Sequence, residues 1–339
     1  MKVADAALDL VGVIEALYRF DLGNEAWLRL VASEVAPLVD RDRKGSVAMS
    51  VFCPDATQFS PTGVAEIGVS DAVSTLFRQG VPGLPPEYVA DSFFNRSWCF
   101  SADLEGWDRI PGVSDGAAAA LGVADLLGIG TSELDGRGCW FGSFQGQRRH
   151  LGRSERMMVT LVARHLKAAY HVRHRIENGQ ALPEAAGAVL EPGGRVVHAR
   201  GAATSPAQIE RLTRATRGID QARCRRGRGD GLRALQSWQA QVGDGWTLVD
   251  SFERDGRRYV LAVQAQPTTP GFHLLSVRER EVVRQALLGR DNKVIAYELG
   301  LAQSTVRVLI ARAAVKVGAR SRRELLQEAT RAEQAAGRE

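Results

Sequence analysis

Aromatic residues are sparse, 6% of the 339 residues, and there are only four cysteines (Cys53, Cys99, Cys139 and Cys224), none in a CxxC pair. This spacing excludes a disulfide framework, offers no zinc-ligand pattern, and fits a reducing, cytoplasmic setting. No apolar run approaches the roughly eighteen residues a membrane-spanning helix needs. The apolar N-terminal stretch carries Asp5 and Asp9, which a secretory signal would not. Ser/His/Asp sets, paired carboxylates and Cys/His sets with workable spacing are missing, so no catalysis, cofactor or metal is expected. A phosphate-cradling GxxxxGK[ST] loop is missing too. Charge imbalance is absent from most of the chain. Residues 271–339 hold 13 of the 44 lysines and arginines and 8 of the 39 acids, so the preceding residues carry 31 of each and the whole formal +5 lies in the last fifth. A locally basic segment suits either a phosphate-backbone binder or a plain solvated face.

At this length two or three domains are expected. The pattern divides into 1–178, 187–266 and 271–339. In the first block, helical periods at Ala6–Arg19, Glu25–Val39 and Ser154–Ile176 alternate with strand-like runs at Ser46–Phe52, Trp98–Ala102 and Gly138–Phe144. Residues 179–186 (GQALPEAA) read as a linker. The second block opens on a hairpin, AVLEPGGRVVHA, turned by Pro192, Gly193 and Gly194. It closes on another, WTLVDSFERDGRRYVLAV, turned at Asp255-Gly256. Between them Arg223–Gly229 reads as a basic loop, either solvated or touching phosphates.

Helix signals are dense in the last block. Ser276 and Glu279 form a capping box for a helix reaching Leu288 and stopped by Gly289. Asp291 caps a short helix from Asn292 to Leu299, and Gly300 stops it. A third helix runs from Gln303 to Val317, and Ser321–Glu324 starts a fourth. Two helices joined by a three- to four-residue glycine turn spell a helix-turn-helix. Val306, Ile310, Ala313, Ala314 and Val317 share one face of the third helix, which leaves Ser304, Thr305, Arg307, Val308 and Arg312 for a DNA groove.

The segment LSVREREVVRQALLGRDNKVIAYELGLAQSTVRVLIARAAVKVGARSRRELL resembles a LuxR-type (GerE) domain over its whole length. The resemblance is carried by Leu275, Arg278–Val282, Gly289, Asn292-Lys293, Ile295-Ala296, Leu299, Thr305–Arg307, Lys316-Val317 and Arg320. It implies an all-α, four-helix domain that binds double-stranded DNA, with groove reading from the Thr305–Ala313 helix and dimerisation aided by the last helix. The expected contacts are Asn292, Lys293, Ser304, Thr305, Arg307, Val308 and Arg312. Ala302, Leu309 and Ala311 depart from the family's usual residues and alter the helix cap and the base contacts.

The front 270 residues lack the acid set of a receiver domain, the phosphate loop of the ATPase-linked regulators, and any Asp-Pro pair of the acyl-homoserine-lactone class. Their strand-turn-strand and long closing helix, entered at Leu151–Glu155, resemble the end of a GAF domain. The 187–266 block is weakly PAS-like. An α/β (α+β) sensor region that forms a homodimer through 1–178 is therefore expected. Trp98, Phe100, Trp140 and Phe144 either line a small-molecule pocket or are simply core. His165, His171 and His174 are expected on a helix surface without an acidic partner. The alternative to a ligand sensor is a regulator whose front region binds a partner protein.

Overall fold

The computed structural model describes residues 9–53, 57–133, 136–179, 182, 186–240, 242, 245–254, 257–264, 275–317 and 319–337. The front half is built on a five-stranded antiparallel sheet in the order β2-β1-β5-β4-β3. Its strands are β1 (Ser46–Phe52), β2 (Ser60–Ile67), β3 (Trp98–Phe100), β4 (Asp125–Ser132) and β5 (Arg137–Gln145). β1 and β5 are buried along almost their whole length, because both faces of the sheet are covered. On one face Ala48, Leu127, Ile129 and Phe141 join the core under α1 (Leu10–Leu17), α2 (Asn24–Val39) and the long helix Arg153–Glu177. On the other, Val47, Met49, Val51, Leu126, Trp140 and Phe144 face α3 (Asp71–Gly80) and the short helices α4 (Pro86–Val89) and α5 (Ala117–Ala120).

Strand periodicity corrects the aromatic set. Trp140 and Phe144 lie on the second face, while Phe100 pairs with Leu127, and Trp98 with Ile129, on the first. Successive side chains point to opposite sides of a strand, so four aromatics on neighbouring strands cannot all serve one pocket. The expected strand Trp98–Ala102 stops at Phe100, because the Asp125 carboxylate accepts from the Ala102 amide at 2.8 Å and turns the chain into a 3₁₀ segment.

A second sheet, in the order β7-β6-β9-β8, comprises β6 (Ala186–Leu190), β7 (Val196–Ala199), β8 (Trp246–Arg254) and β9 (Arg257–Gln264). Both expected hairpins are present, although the Asp255-Gly256 turn itself lies outside the described residues, as do most of 180–185 and Ala6 in the first expected helix. Helix Pro206–Arg223 and Trp238 and Trp246 fill the space beside this sheet. The buried cluster that starts at Leu10 runs on through Ala188, Leu212, Trp238 and Trp246, so the core does not break between the first two blocks.

Arg223–Gly229 is no loop: Pro206–Arg223 and Arg225–Arg228 are both helical. Arg223 stacks on Trp238 with its guanidinium 4.6 Å from the ring centre and pairs with Glu15 at 2.9 Å. Arg228 reaches Asp9 and Glu15, each at 2.6 Å. These arginines hold α1 in place rather than wait for phosphate.

His165 is buried, 1% exposed, not a surface residue. Its Nε2 lies 2.8 Å from the Trp238 carbonyl and its Nδ1 3.2 Å from the Tyr18 hydroxyl. A carbonyl can only accept, so Nε2 carries the proton and Nδ1 accepts from Tyr18. His171 does have an acidic partner, Glu133, whose carboxylate lies 3.3 Å from its Nδ1. Burial holds the His165 pKa down at about 4, against a smaller opposing effect of the Trp238 carbonyl. The unfolded chain therefore binds a proton that the folded chain refuses. Stability contributed by neutral His165 is complete above its ordinary pKa of 6.5 and is lost as the pH falls toward 4. The unfolding free energy of the wild type from urea titrations should drop by about 2 kcal/mol between pH 7.5 and pH 5, and His165→Gln should flatten that drop. An equal pH slope in both proteins would remove His165 as the cause.

Candidate DNA interface and the front cavity

Four helices form the C-terminal unit: Val277–Leu287, Asn292–Glu298, Gln303–Val317 and Arg322–Gly337. The first is fixed by the expected capping box. The Ser276 Oγ accepts from the Glu279 amide at 3.3 Å, and the Glu279 carboxylate accepts from the Ser276 amide at 2.7 Å. Glu279 also takes the Lys316 ammonium at 2.7 Å, tying the first helix to the third. Burial works against its charge, but the Lys316 and Ser276 bonds outweigh it and hold its pKa below the usual carboxylate range. Asp291 caps the second helix, accepting from the Lys293 and Val294 amides at 2.9 Å each.

The turn after Glu298 uses Gly300 at φ 63°, where only glycine is unstrained, and closes with the Leu301 amide donating to Ala296. The second and third helices consequently meet at 108°, within the helix-turn-helix range. Val306, Ile310, Ala313, Ala314 and Val317 all pack inward with Val282, Val283, Ala286 and Ile295. Ser304, Thr305, Arg307, Val308 and Arg312 are exposed together on the opposite side, with Lys293 exposed at the start of the second helix. Asn292 is only half-exposed, and its carbonyl oxygen accepts from Arg322, which also donates to the Arg290 carbonyl at 2.7 Å. That clamp from the fourth helix escaped the sequence reading, since nothing in the spacing of Arg322 announces a partner thirty residues upstream.

Residues 273–329 match the family described as bacterial regulatory proteins, luxR family. The luxR-family segment thus includes the whole turn and the third helix, and ends within the fourth. No curated protein matches the chain. Among solved structures, a crystal structure of Escherichia coli SdiA aligns at 10% identity over 94% of this chain and 95% of that one, with a TM-score of 0.34. SdiA in complex with octanoyl-rac-glycerol aligns at 10% identity over 94% and 93%, with the same TM-score. Neither likeness defines the fold of the chain. No single helix among the described residues is long and apolar enough to cross a membrane, and no group of three or more His, Cys, Asp or Glu among them is placed to hold a metal.

Ahead of the luxR-family segment, the second face of the five-stranded sheet carries a partly open pocket of about 80 Å³. Trp140 forms its floor. Its indole lies flat over Gly128 and Gly142, where a Cβ would come within 2.6 Å and 2.0 Å of the ring. Glycine at those two sheet positions is what admits a tryptophan laid across the strands. The walls include Phe59, Val73, Leu76, Phe77 and Phe144, and no lining side chain is charged. Tyr88 also lines it, but its hydroxyl is engaged by Ser101 at 2.6 Å. Of the four aromatics singled out in the sequence, only Trp140 and Phe144 reach this cavity. Most of the other walls come from the segment 59–111. The Ser70 N-cap of Asp71–Gly80, whose side chain accepts from the Val73 amide, was the available signal there.

Proposed function

We propose that the protein is a sequence-specific, DNA-binding transcriptional regulator whose GAF-like front region, acting as a homodimer, senses a small apolar molecule. The observation that carries this reading is the luxR-family helix-turn-helix with Ser304, Thr305, Arg307, Val308 and Arg312 exposed on one face of its third helix. The domains in this reading are 1–178 for sensing and dimerisation, 187–266 as a PAS-like block sharing the front core, and 271–339 for DNA. In support of sensing, a partly open apolar cavity of about 80 Å³ survives in a front region that is otherwise close-packed. An apolar cavity that size suits an uncharged ligand no larger than a small aromatic or short alkyl chain.

Binding of the chain to duplex DNA should weaken steeply with salt, because Lys and Arg that neutralise phosphates release counterions. Gel shifts at rising salt check it. A shallow salt slope, or binding that survives removal of 271–339, would refute the assignment. Benzene at millimolar concentration should raise the melting temperature of the whole protein if the cavity takes apolar ligands. An unchanged melting temperature counts against the sensing half alone.

A further inference from the structure

We infer that the contact between Arg280 and Phe94 is a clasp that holds the DNA-binding unit against the front region, and that filling the apolar cavity releases it. The inference rests on the reading of that cavity as a sensing site and names how its occupancy reaches the DNA-binding unit. Arg280 lies on the first helix of the luxR-family segment, and its guanidinium sits 4.9 Å from the centre of the Phe94 ring. Both Nε and Nη2 donate to the Leu275 carbonyl, at 3.3 and 3.2 Å, and no carboxylate among the described residues pairs with this side chain. The half-buried guanidinium therefore depends on the ring face for much of its charge stabilisation, and burial, with Arg284 adding to it, lowers its pKa to about 10. A cation seated against an aromatic face with no counter-charge is a contact that small displacements of the ring can break.

Phe94 belongs to a single π-helical turn, Ala90–Asn95, and the same turn supplies Ser92 and Phe93 to the cavity wall. Phe93 meets Phe94 edge-to-face at 5.5 Å and Phe59, on the far side, at 5.7 Å. The π-helical turn is an uncommon conformation, held only where the surrounding packing over-determines it. A ligand that displaces Phe93 therefore moves Phe94, its chain neighbour and ring partner. The cavity wall and the clasp cannot shift independently. The exposed reading face of Gln303–Val317 is not covered by the clasp, so release changes the orientation of that face rather than unmasking it.

Spin labels on Ala207→Cys and Ala311→Cys, both exposed positions, in a Cys224→Ser background test this by pulsed electron-spin distance measurement on full-length protein diluted with unlabelled chain. The expected wild-type result is one narrow intramolecular distance. Phe94→Ala and Arg280→Gln should each broaden it at least twofold, with unchanged helical content by circular dichroism. Ala118→Leu, which fills part of the cavity from its own wall, should broaden it in the absence of any ligand, as should benzene. A wild-type distribution that is already broad, or Phe94→Ala and Arg280→Gln variants that stay narrow, would overturn the clasp. An Ala118→Leu distribution that stays narrow would overturn its release by occupancy. If benzene fails to raise the melting temperature, the cavity reading falls by itself, while the Phe94, Arg280 and Ala118 variants still decide the clasp and its release.

Discussion

Arg307→Ala is expected to lower affinity for the cognate duplex by roughly 1–3 kcal/mol, about 5- to 160-fold, while leaving binding to scrambled DNA nearly unchanged. Arg307 lies in the second turn of the third helix, exposed, one residue after the fully buried Val306. Val306 and Ile310 fix the helix roll, and at that roll Arg307 is exposed and points away from the core. A planar guanidinium there matches guanine O6 and N7 in a bidentate pair, and that pair is lost with any other base. Lys293→Ala is the contrasting case. Its ammonium, exposed at the start of the second helix, suits a phosphate, and its loss should weaken cognate and scrambled binding alike. Titrating both variants against both duplexes gives the comparison. If the cognate-to-scrambled ratio of Arg307→Ala equals that of the wild type, Arg307 holds backbone and reads no base.

Arg173→Ala is expected to destabilise the front region by about 3 kcal/mol. Arg173 is 3% exposed, and its guanidinium lies 4.4 Å from the centre of the Trp27 ring. One arm donates to the Leu22 carbonyl at 3.1 Å and to Glu177; the other donates to the Arg19 and Leu22 carbonyls at 2.9 and 3.1 Å. One side chain thereby satisfies the carbonyls of the chain reversal between α1 and α2 and covers a buried indole. Truncation strips those acceptors and opens a void under Trp27, whereas the half-exposed Glu177 can return to water. Lysine should recover little, since an ammonium cannot reproduce the planar two-armed fork. Urea unfolding followed by the far-ultraviolet signal checks this. A loss under about 1 kcal/mol for Arg173→Ala would mean that water replaces the fork freely.

How legible each part was depends on the range of the contacts that decide it. The helix-turn-helix was legible because its signals are local. Ser276 with Glu279, Asp291 with Lys293 and Val294, and Gly300 at positive φ each act within a few residues. The apolar spacing of Val306, Ile310, Ala313 and Val317 sets the exposed face without reference to anything distant. Both hairpins of the second sheet were equally local, and so was the basic excess of residues 271–339.

What the tertiary structure alone decided lies further apart along the chain. Trp98 and Phe100 were separated from Trp140 and Phe144 by the pairing register, which no single strand encodes. His165 looked like a surface residue among basic neighbours until Tyr18 and Trp238, from two other segments, closed around it. Arg223 and Arg228 looked like free charge until α1 brought Glu15 and Asp9 within reach. A side chain's solvent exposure is set by the segments that pack over it, and here those segments are up to 219 residues away. The residues of the last fifth therefore determined, by their own spacing, that a helix-turn-helix forms and which face it shows. The front region's cavity, its buried histidine and its arginine clamps exist only once distant strands and helices have chosen their partners.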